Sequence, residues 1–344
     1  MMQERAKRVF VLANLEDSSL PGVLRAPHYW TKGLIRAGCD VQTFNFRGAV
    51  VQSGRVLTRL FFKHRVADVL SSQLASYRPD IVLLPRDRVK DLNEVTIAAM
   101  RQAAPAAVFA AIAQDWLPEL DAIRMSICRH MDYVLPTSAG DFLHTYKRAG
   151  VRSCAYLPNA CDPDLQYRYE VDDGWKTDIM FAGRTYNPKV PPSPERQEIL
   201  ERLAQMPNAK LYGCFDRPSV SGFDALRAIS GARIALSINM INNVRLYHSN
   251  RFINNIACGT FTLAKRVPDS DLLFQDKVHV RYFDSVEEFF DLADWYLKHG
   301  DERERIARAG MEHAHREFNC QRMARHLLDL VEKGRIDAPW AEIV

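Results

Sequence analysis

His248–Leu263, written HSNRFINNIACGTFTL, decides how the rest of the chain is read. Ser249 is a natural N-cap, and Gly259 is a natural stop because glycine accepts the left-handed conformation after a helix at no steric cost. These two residues predict a helix of about nine residues. On a helical wheel Arg251, Asn254, Asn255 and Cys258 share one face, while Phe252, Ile253 and Ile256 share the other. One face is expected to pack and the other to meet a ligand. An arginine in the first turn stands beside unpaired backbone N–H groups and the positive end of the helix dipole, an arrangement that suits phosphate. A solvated helix charge is the plainer alternative. The strand-like TFTLAK at 260–265 then places this helix at the edge of an α/β layer, where ligands usually bind.

The chain has 344 residues, which suits two domains of ordinary size better than one core. It is 47% hydrophobic and 26% charged, the balance of a globular protein, and no apolar run approaches the ~20 residues that cross a bilayer. The start MMQERAKRVFVLANL passes straight into a strand pattern without a signal-peptide h-region, so a cytoplasmic location is expected. Seven cysteines, widely spaced and without a C-x-x-C pair, read as reduced thiols and small core residues. A net charge of +4, with no long basic run, gives no indication of nucleic acid and at most favours an acidic substrate.

Strand and helix patterns alternate through the first half. RVFVLANL (8–15), DVQTFNF (40–46), DIVLLPR (80–86), AAVFAAIAQD (106–115), DYVLPTS (132–138) and SCAYLPN (153–159) read as strands. Helices are expected at 29–37, 66–76, 117–130 and 139–149, the last with Ser138 as cap and Gly150 as stop. Such alternation predicts a parallel sheet with helices on both faces. After the polar LPNACDPDLQYRYEVDDGW (157–175) the scheme restarts. TDIMFAG (177–183), AKLYG (209–213), ARIALSINM (232–240) and TFTLAK are strands, with helices from Pro194, near 223–229 and after Ser249. Ser193-Pro194-Glu195 is a strong helix start. SVEEFFDLADWYLKHG (285–300) and DERERIARAG (301–310) each open like a capping box, and Leu327–Val331 lie in a last amphipathic helix.

SNRFINNIACGTFTLAKRVPDSDLLF (249–274) and the segment from Val280 to Leu330 resemble the C-terminal half of GT-B glycosyltransferases of the spore-maturation-protein type, relatives of glycosyl transferases group 1. The similarity extends through TDIMFAGRTYNPK and, more weakly, through 132–163 and TKGLIRAGCDV (31–41). The resemblance implies two Rossmann-like α/β domains with an interdomain cleft. An acceptor-side domain would span 1–165 and a nucleotide-sugar domain 166–325, with a helix and tail, 326–344, crossing back to the first. It also implies a glycosyl transfer from a nucleotide-sugar, such as a UDP-sugar, to an acceptor hydroxyl in glycan biosynthesis.

Such a transfer passes through an oxocarbenium-like state while a nucleoside diphosphate departs, so stabilising charge on the leaving group is the largest service the protein can offer. Arg184 and Lys189, in the spacing G-R-x4-K after Gly183, resemble the family's diphosphate grip. With Arg251 they would make a divalent metal superfluous, and no cofactor is expected. Plain loop charges are the alternative for Arg184 and Lys189, and the needs of a turn for Gly183. Tyr212 and Gly213 are placed near the nucleobase, although the tyrosine is equally a core residue. His248, Ser249 and Asn250 complete the expected donor set with Asn254 and Asn255. Aligned with the family's R-x-F-E-x-x-A-x-G, the chain puts Asn254 where a glutamate usually accepts from the donor ribose. Local backbone bonding is the alternative for both asparagines. The acidic triplets Asp162-Pro163-Asp164 and Asp269-Ser270-Asp271 do not fall where a metal-bound diphosphate would sit. Asp115, at a strand end, is a candidate general base or merely a helix cap, and His28 is the second candidate. A sugar-nucleotide epimerase and a non-catalytic sugar-nucleotide-binding protein remain possible on the same scaffold.

Overall fold

The computed structural model describes residues 5–13, 26–46, 48–49, 59–86, 92–114, 120–185 and 190–344. Its contacts divide it into two compact units, one formed by residues up to 157 together with 320–344, the other by 158–319. In the first unit β1 (Arg8–Ala13), α1 (Ala26–Arg36), β2 (Asp40–Asn45), α2 (Arg59–Tyr77), β3 (Ile81–Leu84), α3 (Glu94–Ala103), β4 (Val108–Ala113), α4 (Ala122–Cys128), β5 (Tyr133–Pro136) and α5 (Asp141–Arg148) alternate. The strands form one parallel sheet in the order β2-β1-β3-β4-β5. Their runs VFVL, IVLL and FAAI are inaccessible on both faces, as strands covered by helices on both sides must be.

The second unit contains β6 (Thr177–Ala182), α6 (Pro194–Ala204), β7 (Ala209–Tyr212), α7 (Gly222–Ser230), β8 (Ala232–Ser237), α8 (Asn250–Ala257), β9 (Thr262–Lys265), β10 (Arg281–Phe283), α9 (Val286–Lys298) and α10 (Gly300–Glu317). Its sheet is also parallel, ordered β10-β9-β8-β6-β7. Read from the other edge this is the same winding as in the first unit, so each unit is a Rossmann-like layer, and together they make the GT-B class of fold.

Local caps and stops set several of the boundaries. Ser193 accepts from the Arg196 N–H at 3.3 Å with Pro194 at N1, and Ser285 accepts from the Glu288 N–H at 3.1 Å. Gly150 (φ +94°) and Gly259 (φ +69°) stop their helices in the left-handed conformation.

Several expectations need correction. The chain leaves the first unit at Leu157 rather than 165, because residues 162–166 pack against α8 in the second: Gln166 donates to Asn254 at 2.6 Å. It returns at Cys320 rather than 326, where α11 (Cys320–Lys333) begins and its first backbone carbonyl lies so close to Gly33 of α1 that a β-carbon there would collide with it. SCAYLPN is not a regular strand, although it runs parallel to β5 through an isolated bridge, with Ala155 donating to the Val134 carbonyl and Leu157 to the Pro136 carbonyl. Cys154 and Val344 exchange backbone hydrogen bonds and Tyr156 donates to Glu342, which clips the C-terminal tail to this unit. The fifth helix is capped at Gly140 rather than Ser138, and α10 begins at Gly300 without a side-chain cap. Helix α3 and the three-residue β10 were not anticipated. Helix α3 is capped by Asn93, whose side chain accepts from the Thr96 N–H at 2.9 Å. All seven cysteines are free thiols, six of them buried. Among the described residues no helix is long and apolar enough to cross a membrane.

Candidate functional site

In the second sheet β6 and β8 are neighbours, yet the connection from β6 leads to β7 on one side and that from β8 leads to β9 on the other. The crevice beyond their carboxyl ends is the topological switch point, where open α/β sheets bind ligands. Arg251, in the first turn of α8, fills the floor of that crevice. Its Nε donates to the Ala182 carbonyl at 2.7 Å and its Nη1 to the Ile238 carbonyl at 2.8 Å, so one guanidinium ties the end of β6 to the end of β8. Its carbon lies 4.4 Å over the Phe181 ring. Gly183 is required by this geometry, since a β-carbon there would lie 2.7 Å from Nη2 of Arg251 and 2.8 Å from Cζ of Phe181. Arg251 is therefore both a structural tie and the cation of the crevice.

A second arginine, which sequence reasoning missed, lies beside it. Arg196 in the first turn of α6 is 1% exposed, sits 4.9 Å over the same Phe181 ring, and donates through Nη1 to the same Ile238 carbonyl and through Nη2 to the Arg184 carbonyl at 2.7 Å. The signal was present in Ser193-Pro194-Glu195-Arg196: a cation in a first turn opposes the helix dipole, as Arg251 does. Burial, and for Arg196 the neighbouring Arg251 cation, press the guanidinium groups below the ordinary arginine value, to about 9 for Arg196 and about 10 for Arg251.

The other expected donor residues are placed unevenly. Gly183 donates its N–H to the Tyr212 carbonyl at 2.9 Å, and Gly213 (φ +76°) would bring a β-carbon to 3.3 Å from the Gly183 carbonyl, so Gly183, Tyr212, Gly213 and Arg251 converge. The Tyr212 phenol is raised by partial burial. Arg184 is exposed at the rim, and Lys189 lies outside the described residues. Ser249 occupies the N-cap position of α8, but its hydroxyl makes no capping bond and is buried without a partner, while Asn250 is exposed. The cap expected from Ser249 is thus positional only, which leaves the first-turn N–H groups to another acceptor. His248 does not face the crevice as a cation. Its ring stacks on Phe252 at 3.9 Å, and burial pushes it down to about 3.

The amphipathic split of α8 also needs correction. Asn254 keeps some exposure, but its Oδ1 accepts from Gln166 Nε2 at 2.6 Å, and Asn255 is wholly buried with no partner for its amide. The sheet covers one flank of α8 and α10 covers another, so only Asn250, Arg251 and Asn254 among its polar residues reach the surface. In the first unit His28 is exposed on α1, while Asp115 lies outside the described residues. The acidic triplets are engaged elsewhere. Asp162 accepts from the Asp164 N–H at 3.1 Å, Asp269 pairs with Arg245 at 2.6 Å, and Asp271 pairs with Arg266 at 2.9 Å.

A family model described as glycosyl transferase-like matches residues 195–329, from the first turn of α6 into α11. No curated protein matches the chain. Among solved structures, a glycosyltransferase from Rickettsia africae superposes with a TM-score of 0.59 at 11% identity, covering 95% of this chain and 98% of the other. Sucrose-phosphate synthase from Thermosynechococcus elongatus gives 0.59 at 12% identity, with 95% and 98% covered. Anabaena Alr3699/HepE in complex with UDP gives 0.57 at 11%, with 95% and 100% covered. Residues 195–329 thus match a glycosyl transferase-like family model, and over nearly its whole length the chain has the GT-B fold of these proteins.

Proposed function

We propose that this protein is a glycosyltransferase, of the spore-maturation-protein type among GT-B enzymes, that moves a sugar from a nucleotide-sugar to an acceptor hydroxyl in the cytoplasm. The observation that carries the proposal is Arg251, a cation at the switch point whose Nη2 is accommodated only because residue 183 is glycine. A diphosphate here meets Nη2 of Arg251, the first-turn N–H groups of α8 and, at the rim, Arg184; the sequence spacing G-R-x4-K adds Lys189 to the grip. Charge developing on the leaving group is stabilised by donors already in place, which is where an enzyme gains most. With protein cations at the leaving group, no divalent metal takes part. UDP, the ligand of the Anabaena protein, is the first nucleotide to try. Asp115 acts as general base toward the acceptor, with His28 as its substitute.

Calorimetry against a panel of nucleoside diphosphates tests the donor site. Arg251→Ala and Arg184→Ala are each expected to lose about 1.5–3 kcal/mol of binding, the scale of a charge-assisted hydrogen bond. Unchanged affinity in both variants would remove the donor site from the switch point. Transfer from the nucleotide-sugar that binds should survive excess EDTA. Loss on chelation with recovery on adding manganese would overturn metal independence. In Asp115→Asn, kcat is expected to fall about 10²-fold or more with donor affinity unchanged, and normal turnover would shift the role to His28.

A further inference from the structure

Helices α6 and α8 both start at the carboxyl edge of the second sheet, and each brings an arginine in its first turn to the same place. The two guanidinium groups lie over one ring, Phe181, and share one acceptor, the Ile238 carbonyl. A carbonyl has two lone pairs and can serve both, but it neutralises neither. The titratable groups that act favourably on either cation are Tyr247 and Cys214, a phenol and a thiol, neither of them an anion at neutral pH. Residues 186–189, which follow Arg184, are Tyr-Asn-Pro-Lys and hold no carboxylate. Two helix N-termini add further positive potential at the same point. Among the described residues, then, two like charges, Arg196 buried and Arg251 partly so, stand together with no counter-charge, and Nε of Arg196 has no partner at all. Leaving one such charge uncompensated is costly, and leaving two costs more. Arginine does not escape by giving up its proton.

We infer that Arg196 and Arg251 form a paired guanidinium site whose counter-charge is a bound phosphoanhydride, with Arg196 as a positioning residue beneath the anion. This rests on the donor site proposed above and adds to it a residue that the anion never has to touch. Arg251 presents Nη2 toward Gly183. Arg196 acts from below, holding the carbonyl of Arg184, so that the loop carrying the rim cation is anchored by the same group that supplies the field. A diphosphate suits the pair better than a monophosphate because its charge spreads over two phosphoryl groups and two cations await it.

The test uses the full chain and inorganic pyrophosphate, which has no sugar or base. Arg196→Gln removes the charge, whereas Arg196→Lys keeps it, and both replace the arginine fork by a shorter side chain that gives up its paired bonds to the Ile238 and Arg184 carbonyls. Pyrophosphate affinity measured by calorimetry is expected to fall about tenfold or more in Arg196→Gln and to stay within about threefold of wild type in Arg196→Lys. Wild-type affinity in the glutamine variant, or an equal loss in both variants, would overturn the inference, because Arg196 would then act only by bracing carbonyls. Should the glutamine variant fail to fold, the lysine variant decides alone: retained affinity supports the charge role and a tenfold loss removes it. Arg251→Ala separates this inference from the proposed function. If Arg251→Ala loses pyrophosphate while Arg196→Gln does not, the donor site stands and the paired site falls. If the wild type binds no pyrophosphate, the donor site itself is misplaced.

Discussion

Asn254 shows how a single side chain is constrained from two directions. Three residues beyond Arg251 and on the same face, it stands where the family's glutamate accepts from ribose. In the folded chain, however, its Oδ1 already accepts from Gln166, which is itself held by accepting from the Asp162 N–H at 2.7 Å. An amide oxygen has a second lone pair, so a ribose hydroxyl can still be accepted, as a neutral bond of about 0.5–1.5 kcal/mol. Asn254→Ala should therefore weaken a nucleoside diphosphate several-fold and leave inorganic pyrophosphate unaffected. Equal effects on the two ligands, or none, would place the ribose elsewhere. Arg251 was legible because a cap, a cation and a stop fall between Ser249 and Gly259. Arg196 carried the same first-turn signal, but Ser193-Pro194-Glu195 suffices as a helix start, and without a glycine stop close by nothing local sets the arginine apart from a solvated charge.

At the scale of elements, α8 is held by its ends. Gly259 adopts φ +69°, and a β-carbon there would also come within 2.9 Å of Met311 Sδ on α10. Gly259→Ala is expected to cost about 1–2 kcal/mol from the left-handed conformation alone. Pyrophosphate affinity should be retained, because Arg251 lies at the other end of the helix. Chemical denaturation that detects no shift in midpoint would mean that the stop is not set by this glycine. Caps and glycine stops are local and could be read directly, as at Ser193, Ser285, Gly150 and Gly259. Strand-like composition was less reliable. SCAYLPN has the residues of a strand but pairs with β5 only through an isolated parallel bridge at Val134 and Cys154, and its other edge meets the C-terminal tail, a partner some 190 positions away in the sequence that no local pattern announces.

For the molecule as a whole, the buried histidine gives the clearest dependence on conditions. His248 is held at about 3 when folded and titrates near 6.5 when unfolded. The unfolded chain therefore binds the extra proton first, and stability falls as pH drops from about 6.5 toward about 3. His279, pushed down to about 4 by burial, His313 and Arg316, acts in the same sense, as does His313. Removing one of them should thus lessen the decline without abolishing it. His248→Phe keeps a ring against Phe252 and Tyr282, and its loss of stability between pH 6.5 and 4 is expected to be shallower than in wild type. Parallel curves from urea titrations across that range would show that His248 is not responsible.

Beyond what the family resemblance supplied for Gly183, Tyr212 and Gly213, alternating apolar runs and capped helices were enough by themselves to determine two parallel-sheet α/β layers and to mark Arg251 at one end of the second. Those features follow from periodicity and from backbone preferences that act within a few residues. Tertiary structure alone decided which polar residues in and just before α8 stay accessible, since Asn255 and His248 lie on faces that a wheel cannot distinguish from solvent until the sheet and α10 close over them. It also decided that Arg196 and Arg251, 55 positions apart, share one carbonyl and one aromatic ring. That meeting depends on the order β7-β6-β8, which brings two strand ends side by side, and strand order is set by long-range pairing rather than by any local run of residues.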